Sequence, residues 1–154
     1  MKNPKQSTLQ AELLRVLTAI QKQRIKAQLQ SILDDETLVA DFAGSFLSRT
    51  KCQLDLQALD EPLNADDVLA ALEQQPLVRT GGLRCFYLDT TVAGGVCYVD
   101  GERHAFGAKA QAAVKALCDH DTITHTQLRA AVRLPVFVAA LVQWVNAGYW
   151  YFED

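Results

Sequence analysis

Long hydrophobic runs are missing from this sequence of 154 residues. It has no stretch of about eighteen consecutive apolar residues, the length that a transmembrane helix needs. The N-terminus, Met1-Lys2-Asn3-Pro4-Lys5-Gln6-Ser7, leads into a polar helical pattern and not into the apolar stretch of a secretory signal. We therefore expect a cytoplasmic protein with no membrane partner.

Cysteine is scarce, and its spacing excludes the common zinc patterns. The four cysteines are Cys52, Cys85, Cys97 and Cys118. They are far apart, with no Cys-x-x-Cys pair and no histidine at ligand spacing. The sequence predicts reduced thiols in the core or on the surface.

Histidines in the pattern of an iron site are also missing. A non-haem iron centre needs a His-x-Asp/Glu pair and a further histidine. The residues two positions beyond His104, His120 and His125 are Phe106, Thr122 and Gln127. No glycine-rich phosphate-binding motif occurs either. We therefore predict no catalytic, cofactor-binding or metal site, and no enzymatic activity for this chain alone.

Positive charge is sparse in the second part of the chain. Residues 1–59 hold eight Lys/Arg against six Asp/Glu, a balance of +2, whereas residues 60–154 hold seven against twelve, a balance of −5. The helix predicted at 135–147 contains neither lysine nor arginine. Because nucleic-acid binding depends on neutralising phosphates, the sequence does not favour a nucleic-acid partner.

The first part of the chain has the period of amphipathic helices. Apolar residues recur at three- and four-residue steps after Ser7, the predicted N-cap, and an acidic turn at Asp34-Asp35 precedes a second helical pattern at 37–47. A hairpin of two helices exposes more apolar surface than it buries, so it packs on the following domain or on a second copy. The predicted homodimer interface consists of Leu13, Val16, Leu17, Ile20, Leu38, Phe42 and Phe46.

The remaining chain alternates helices and short strands. Helices are predicted from Asn64 to 74 or 75, at 108–118, from 124 or 126 to 133 and at 135–147. Strands are predicted at 83–88, 96–99 and 103–106 as an antiparallel meander, which a strand at 149–152 joins. This is the layout of a winged helix. The predicted fold class is α+β, mostly α, with a helical dimerisation hairpin or bundle at 1–59 and a winged-helix domain with a small antiparallel sheet at 60–154.

Three segments resemble one protein family when taken together. They are Arg79-Thr80-Gly81-Gly82-Leu83-Arg84, Asp100-Gly101-Glu102 and the stretch from Leu141 to Phe152. In this order they resemble the C-terminal region of bacterial cupin-like JmjC ribosomal oxygenases, and the likeness runs from about Ile25 onward. The segment at 89–95 departs from it, since it makes the first hairpin longer than the family pattern.

The resemblance implies a function for the whole family and a more limited one for this chain. Family members combine a JmjC barrel that holds Fe(II) and 2-oxoglutarate, a helical dimerisation region and a winged helix, and they hydroxylate an arginine of a ribosomal protein. The likeness covers the last two parts only. It implies a non-catalytic dimerisation and winged-helix portion without cofactors of its own, whose partners are a second copy, the catalytic barrel and the ribosomal protein substrate.

Two other hypotheses remain. The chain is a stand-alone winged-helix regulator that binds nucleic acid or protein, or it is an autonomous 2-oxoglutarate-dependent enzyme. The missing iron-ligand pattern argues against the second of these.

Overall fold

The computed structural model describes the backbone of residues 4–153 and the side chains of residues 8–153. The chain forms two compact units, of which the N-terminal unit ends at Val39 and the C-terminal unit begins at Ala40. This division lies within a helix, whereas the predicted domains 1–59 and 60–154 are separated in the connector. The functional domain limits stay a prediction.

Two helices dominate the first part of the chain, α1 at Pro4–Leu33 and α2 at Glu36–Ser48. Ser7 lies inside α1, and its side chain, the predicted N-cap, is outside the described side chains. The carboxylate of Asp35 accepts hydrogen bonds from the backbone N–H groups of Thr37 and Leu38 at 3.0 and 3.1 Å. This cap explains why the second helix begins beside the acidic turn. The predicted hairpin arrangement stays a prediction.

Helix α3 occupies Ala65–Gln74, as predicted. It starts with a capping box in which the Asn64 side chain accepts from the N–H of Asp67, and the Asp67 carboxylate accepts from the N–H of Asn64. Two of the free N–H groups at the start of the helix are thereby satisfied.

Within residues 4–153, six short strands form two antiparallel sheets. The strands are β1 Leu77–Arg79, β2 Cys85–Phe86, β3 Val96–Val99, β4 Glu102–Ala105, β5 Thr122–Ile123 and β6 Trp150–Phe152. The order is β5-β1-β6 in one sheet and β2-β3-β4 in the other. The predicted meander is the second sheet, but the prediction that the C-terminal strand joins it was wrong. That strand pairs with β1, which the sequence did not reveal because three residues show no alternation.

The remaining helices follow the prediction except in two places, since one predicted helix is interrupted and a short helix at Asp89–Val92 was not predicted. They are α4 Asp89–Val92, α5 Gln111–Asp119, α6 His125–Leu128 and α7 Pro135–Asn146, with 3₁₀ turns at Ala108–Ala110 and Ala131–Arg133. The single helix predicted to end at residue 133 is therefore divided into α6 and a 3₁₀ turn. Helix α4 lies inside the segment at 89–95 that departs from the family pattern.

The core of the C-terminal unit contains side chains from both sheets and from helices α3 to α7. The rings of Trp144 and Trp150 lie 5.1 Å apart, and Phe106 meets Phe137 edge-on at 5.1 Å. Each fully buried large side chain contributes roughly 1.5–3 kcal/mol. The C-terminal unit has helices α5, α6 and α7, followed by β6, around a small sheet. This arrangement confirms the predicted fold class. No helix in residues 4–153 has the length and apolar character to cross a bilayer.

Candidate interaction surface

Every described side chain of α1 is exposed to solvent, apolar ones included. The exposed fraction of its large apolar residues runs from 48% for Ile20 to 66% for Leu9. A solvent-facing helix normally places its apolar residues against a core, because burial of such faces supplies most of the stability of helices in proteins. Helix α1 therefore carries apolar surface that is not buried in this chain.

The part of α2 that belongs to the C-terminal unit has two different faces. Ala40, Gly44 and Ser48, each four residues apart, are buried. On the outer face, Phe42 and Phe46 stack with ring centroids 5.9 Å apart, and 71% and 58% of these residues are exposed. Exposed aromatic pairs are unusual on the surface of a monomer and are typical of contact sites.

The inner face of α2 is held on the sheet β2-β3-β4 by specific contacts. The Asp41 carboxylate accepts from the Tyr98 hydroxyl at 2.7 Å and from Nε of Arg103 at 2.9 Å. The ring of Tyr98 lies against Gly44, where a Cβ atom would overlap it. The hydroxyl of Ser48 accepts from the N–H of Gly101 at 2.9 Å. These contacts fix the direction in which Phe42 and Phe46 point.

Sequence reasoning missed these anchors. The signal was present in Ala40, Gly44 and Ser48, since small residues at four-residue steps allow close packing of a helix. Tyr98 and Arg103, which bind the neighbouring Asp41, lie more than fifty positions further along the chain, and no local sequence pattern indicated this contact.

All seven residues of the predicted interface are exposed. They are Leu13, Val16, Leu17, Ile20 and Leu38 in the N-terminal unit, and Phe42 and Phe46 in the C-terminal unit. Their role in dimerisation stays a prediction.

The two main motif segments of the family resemblance meet in the structure and support the fold. Strands β1 and β6 place Arg79 opposite Trp150. The hydroxyl of Thr80 donates to the carbonyl of Gly148 at 2.6 Å, and the Arg79 guanidinium donates to the carbonyls of Leu117 and Cys118 at the end of α5. The motif residues thus cap a helix and pair strands.

Asn146 and Gly148 join the connector before α3 to the end of α7. The amide of Asn146 donates to the carbonyl of Leu63 at 3.0 Å, and its oxygen accepts from the N–H of Leu63 at 2.8 Å. Gly148 has a φ of +78°, and any side chain there would meet the backbone of Gln57. A glycine is required for both reasons.

The described side chains do not fit an iron site. Among residues 8–153 no group of three His, Cys, Asp or Glu side chains lies close enough to hold a metal ion. The imidazole of His104 lies beside the rings of Phe106 and Trp144, with ring centroids 6.2 and 4.9 Å away. Burial lowers the pKa of His104 below its usual value, which favours a neutral imidazole.

These elements define a winged-helix domain preceded by a long exposed helix. A family model described as ROXA-like winged helix matches residues 30–151. The chain belongs to this family.

Relatives of known structure share the same fold. The ribosomal protein uL16 3-hydroxylase of Escherichia coli is 28% identical over 131 residues, which are 84% of this chain and 33% of that protein. The structure of YcfD, a ribosomal oxygenase from Escherichia coli, matches with a TM-score of 0.75 and 28% identity over 86% of this chain and 35% of that one. A second structure of YcfD, in complex with cobalt and 2-oxoglutarate, matches with the same TM-score, identity and coverage. The chain thus spans about a third of the length of these relatives.

Proposed function

We propose that this chain is the non-catalytic dimerisation and winged-helix portion of an Fe(II)- and 2-oxoglutarate-dependent ribosomal protein hydroxylase. The observation that carries the proposal is the exposed apolar side chains on α1 and on α2, in a chain whose C-terminal unit has a closed core. The match to the C-terminal third of ribosomal oxygenases supports the same role.

A second copy of the chain is the proposed occupant of this surface. Two-fold interfaces are self-complementary, so one set of apolar side chains on each copy is sufficient to bury both. Full burial of a leucine or phenylalanine contributes roughly 1.5–3 kcal/mol, and several such pairs exceed the cost of association. The Asp41 anchor holds the two phenylalanines of α2 in place, which lowers the entropy lost on binding.

Light scattering after size-exclusion chromatography tests the dimer. The unchanged chain is expected to elute with the mass of two copies, and Phe42→Asp with the mass of one, because a charge there is not tolerated in an apolar contact. Val136→Asp is the matched control, since Val136 is 63% exposed on α7 and lies outside the proposed interface. If Phe42→Asp keeps the mass of a dimer and its circular dichroism spectrum is unchanged, the face of α2 that carries Phe42 is not part of the interface.

The catalytic part of the proposal assigns the chemistry to a partner barrel. By resemblance, that barrel holds Fe(II) and 2-oxoglutarate and hydroxylates an arginine side chain of a ribosomal protein in the cytoplasm. This chain then contributes the dimer contact and the winged helix, and no ligand to the iron.

Turnover of 2-oxoglutarate tests this division of roles. The isolated chain, incubated with Fe(II), 2-oxoglutarate and ribosomal protein uL16, is expected to form no succinate above the protein-free background. If the isolated chain does form succinate, and the Phe42→Asp and Val136→Asp variants form it as well, the chain is instead an autonomous enzyme.

Protein contact is favoured over nucleic-acid contact for the winged helix. Helix α7 carries no lysine or arginine, and the amide of Asn146 is occupied by the backbone of Leu63. Only Gln143 remains as an exposed polar side chain on this helix. Duplex DNA or RNA is therefore expected to show negligible retention at low salt. Retention that falls steeply as salt rises would favour a stand-alone nucleic-acid-binding regulator.

A further inference from the structure

Three cysteines that lie far apart in the sequence come together in the C-terminal unit. Cys85 lies on β2 opposite Val99, and Cys97 is two residues before Val99 on β3, so both thiols are on the same face of the sheet. Cys118 lies in the last turn of α5, which packs on these two strands. The sulfur atoms of Cys85 and Cys118 are 3.0 Å apart.

The two elements that carry this pair are fixed relative to each other. The Arg79 guanidinium donates to the carbonyl of Cys118 at 3.1 Å and holds the end of α5. One residue further along, the Asp119 carboxylate accepts from the Tyr87 hydroxyl at 3.3 Å. The backbone on both sides of the pair is thus held where the two sulfur atoms meet, so a bond between them needs little rearrangement.

Solvent reaches the three thiols to different degrees. Cys97 is fully buried and Cys85 is 7% exposed, whereas Cys118 is partly exposed. An oxidant from solution therefore meets Cys118 first, and Cys85 is the thiol that contacts Cys118.

We propose that Cys85 and Cys118 form a reversible disulfide when the protein meets a peroxide, with Cys118 reacting first. The Cys118 sulfur takes one oxygen atom of the peroxide and becomes a sulfenic acid, and the other oxygen leaves as water. The Cys85 sulfur then attacks the Cys118 sulfur, the S–S bond forms and the sulfenic oxygen leaves as a second water. Two thiols and one hydrogen peroxide give one disulfide and two waters. A small dithiol reverses the reaction by exchange.

The bond would fasten the sheet β2-β3-β4 to α5. It closes a loop between residues 33 positions apart, and such a cross-link restricts the unfolded chain. The oxidised C-terminal unit is expected to melt about 10 °C higher than the reduced one.

The reaction is expected to be slow at neutral pH and faster in alkali. The hydrogen bond between the two thiols and burial raise the pKa of Cys118. The hydrogen bond with Cys118 lowers the pKa of Cys85, but a hydrogen bond with Cys97 and burial outweigh it and raise that pKa overall. Since the thiolate is the reactive form, the rate of disulfide formation rises between pH 7 and pH 9.

Peptide mapping of the peroxide-treated chain tests the pairing. The reference variant is Cys52→Ser, which removes the exposed thiol that is free to link two chains. Cleavage on the N-terminal side of aspartate, at Asp89, Asp100 and Asp119, places Cys85, Cys97 and Cys118 on three different peptides. After treatment and blocking of free thiols, the expected result is a linked pair of the Cys85 and Cys118 peptides, with Cys97 alkylated.

Two further variants make the test decisive. Added to Cys52→Ser, Cys97→Ala is expected to keep the disulfide, and Cys118→Ala is expected to lose both the disulfide and the rise in melting temperature. A linked Cys85–Cys97 pair overturns the proposal. Oxidation of Cys118 to sulfinic acid without linkage to Cys85 also overturns it. The proposal fails as well if Cys85, Cys97 and Cys118 stay reduced under conditions that oxidise Cys52 in the unchanged chain.

Discussion

Helices α1 and α7 both carry apolar residues at helical spacing, but they differ in what those residues contact. In α7, Phe137, Leu141 and Trp144 are fully or nearly fully buried, and the exposed positions lie on the other side. In α1, no described side chain is buried. The same periodic signal therefore reports a core in one case and an available surface in the other, because periodicity shows that a helix has an apolar face but not what covers it.

The largest expected effect comes from Phe137→Ala in the buried face of α7. Removal of a fully buried phenylalanine costs about 3–5 kcal/mol in lost transfer energy and cavity formation. Urea unfolding followed by the fluorescence of Trp144 and Trp150 measures it. In protein dilute enough to be monomeric, Val136→Ala on the same helix, and Leu13→Ala on α1, are expected to change the free energy of unfolding of the C-terminal unit by less than about 0.5 kcal/mol. An effect of Leu13→Ala as large as that of Phe137→Ala would contradict the contrast between the two helices.

An intermediate effect is expected at Gly44, where the buried face of α2 meets the ring of Tyr98. Gly44→Ala forces the ring or the helix to move, which costs about 1–3 kcal/mol, more than the helix propensity of alanine returns. Gly81→Ala is the control, because a Cβ atom there has no heavy atom within 4 Å. The midpoint of thermal unfolding should fall for the first variant and stay constant for the second. Equal midpoints for both would show that α2 is not closely packed on the sheet.

The smallest effect is expected from pH. Burial holds the pKa of His104 below the value of 6.5 that it has in the unfolded chain. As pH falls below 6.5, the unfolded state takes up a proton before the folded state does, so the contribution of His104 to stability is present at pH 7 and decreases toward pH 5. His104→Phe should make the urea midpoint less dependent on pH in this range. An unchanged pH dependence in that variant would assign it to other groups.

The family resemblance and the winged-helix fold were predictable because their signals are local. Helix α3 has its capping box within four residues of chain, and α7 starts at a proline. The meander was predicted from aromatic and β-branched runs between turn residues, and the structure confirms it with a shorter first strand. Strands β1 and β5 were missed, since segments of three and two residues carry no period.

The candidate surface was only partly predictable. The apolar character of Phe42 and Phe46 was visible in the sequence, and both are exposed. The anchoring of α2 by Tyr98 and Arg103 was not visible, because these partners are separated from Asp41 by 57 and 62 positions. Pairing over such distances depends on how the sheet and helix pack, and no spacing rule within one segment reports it.

The sequence by itself determined where most helices begin and end, since helical period, capping and proline effects act over a few neighbouring residues. Only the tertiary structure decided that β6 pairs with β1, that Arg79 caps α5 and that Cys85 meets Cys118. These contacts join remote segments, and their formation is governed by the burial of a common core, which no short stretch of sequence specifies alone.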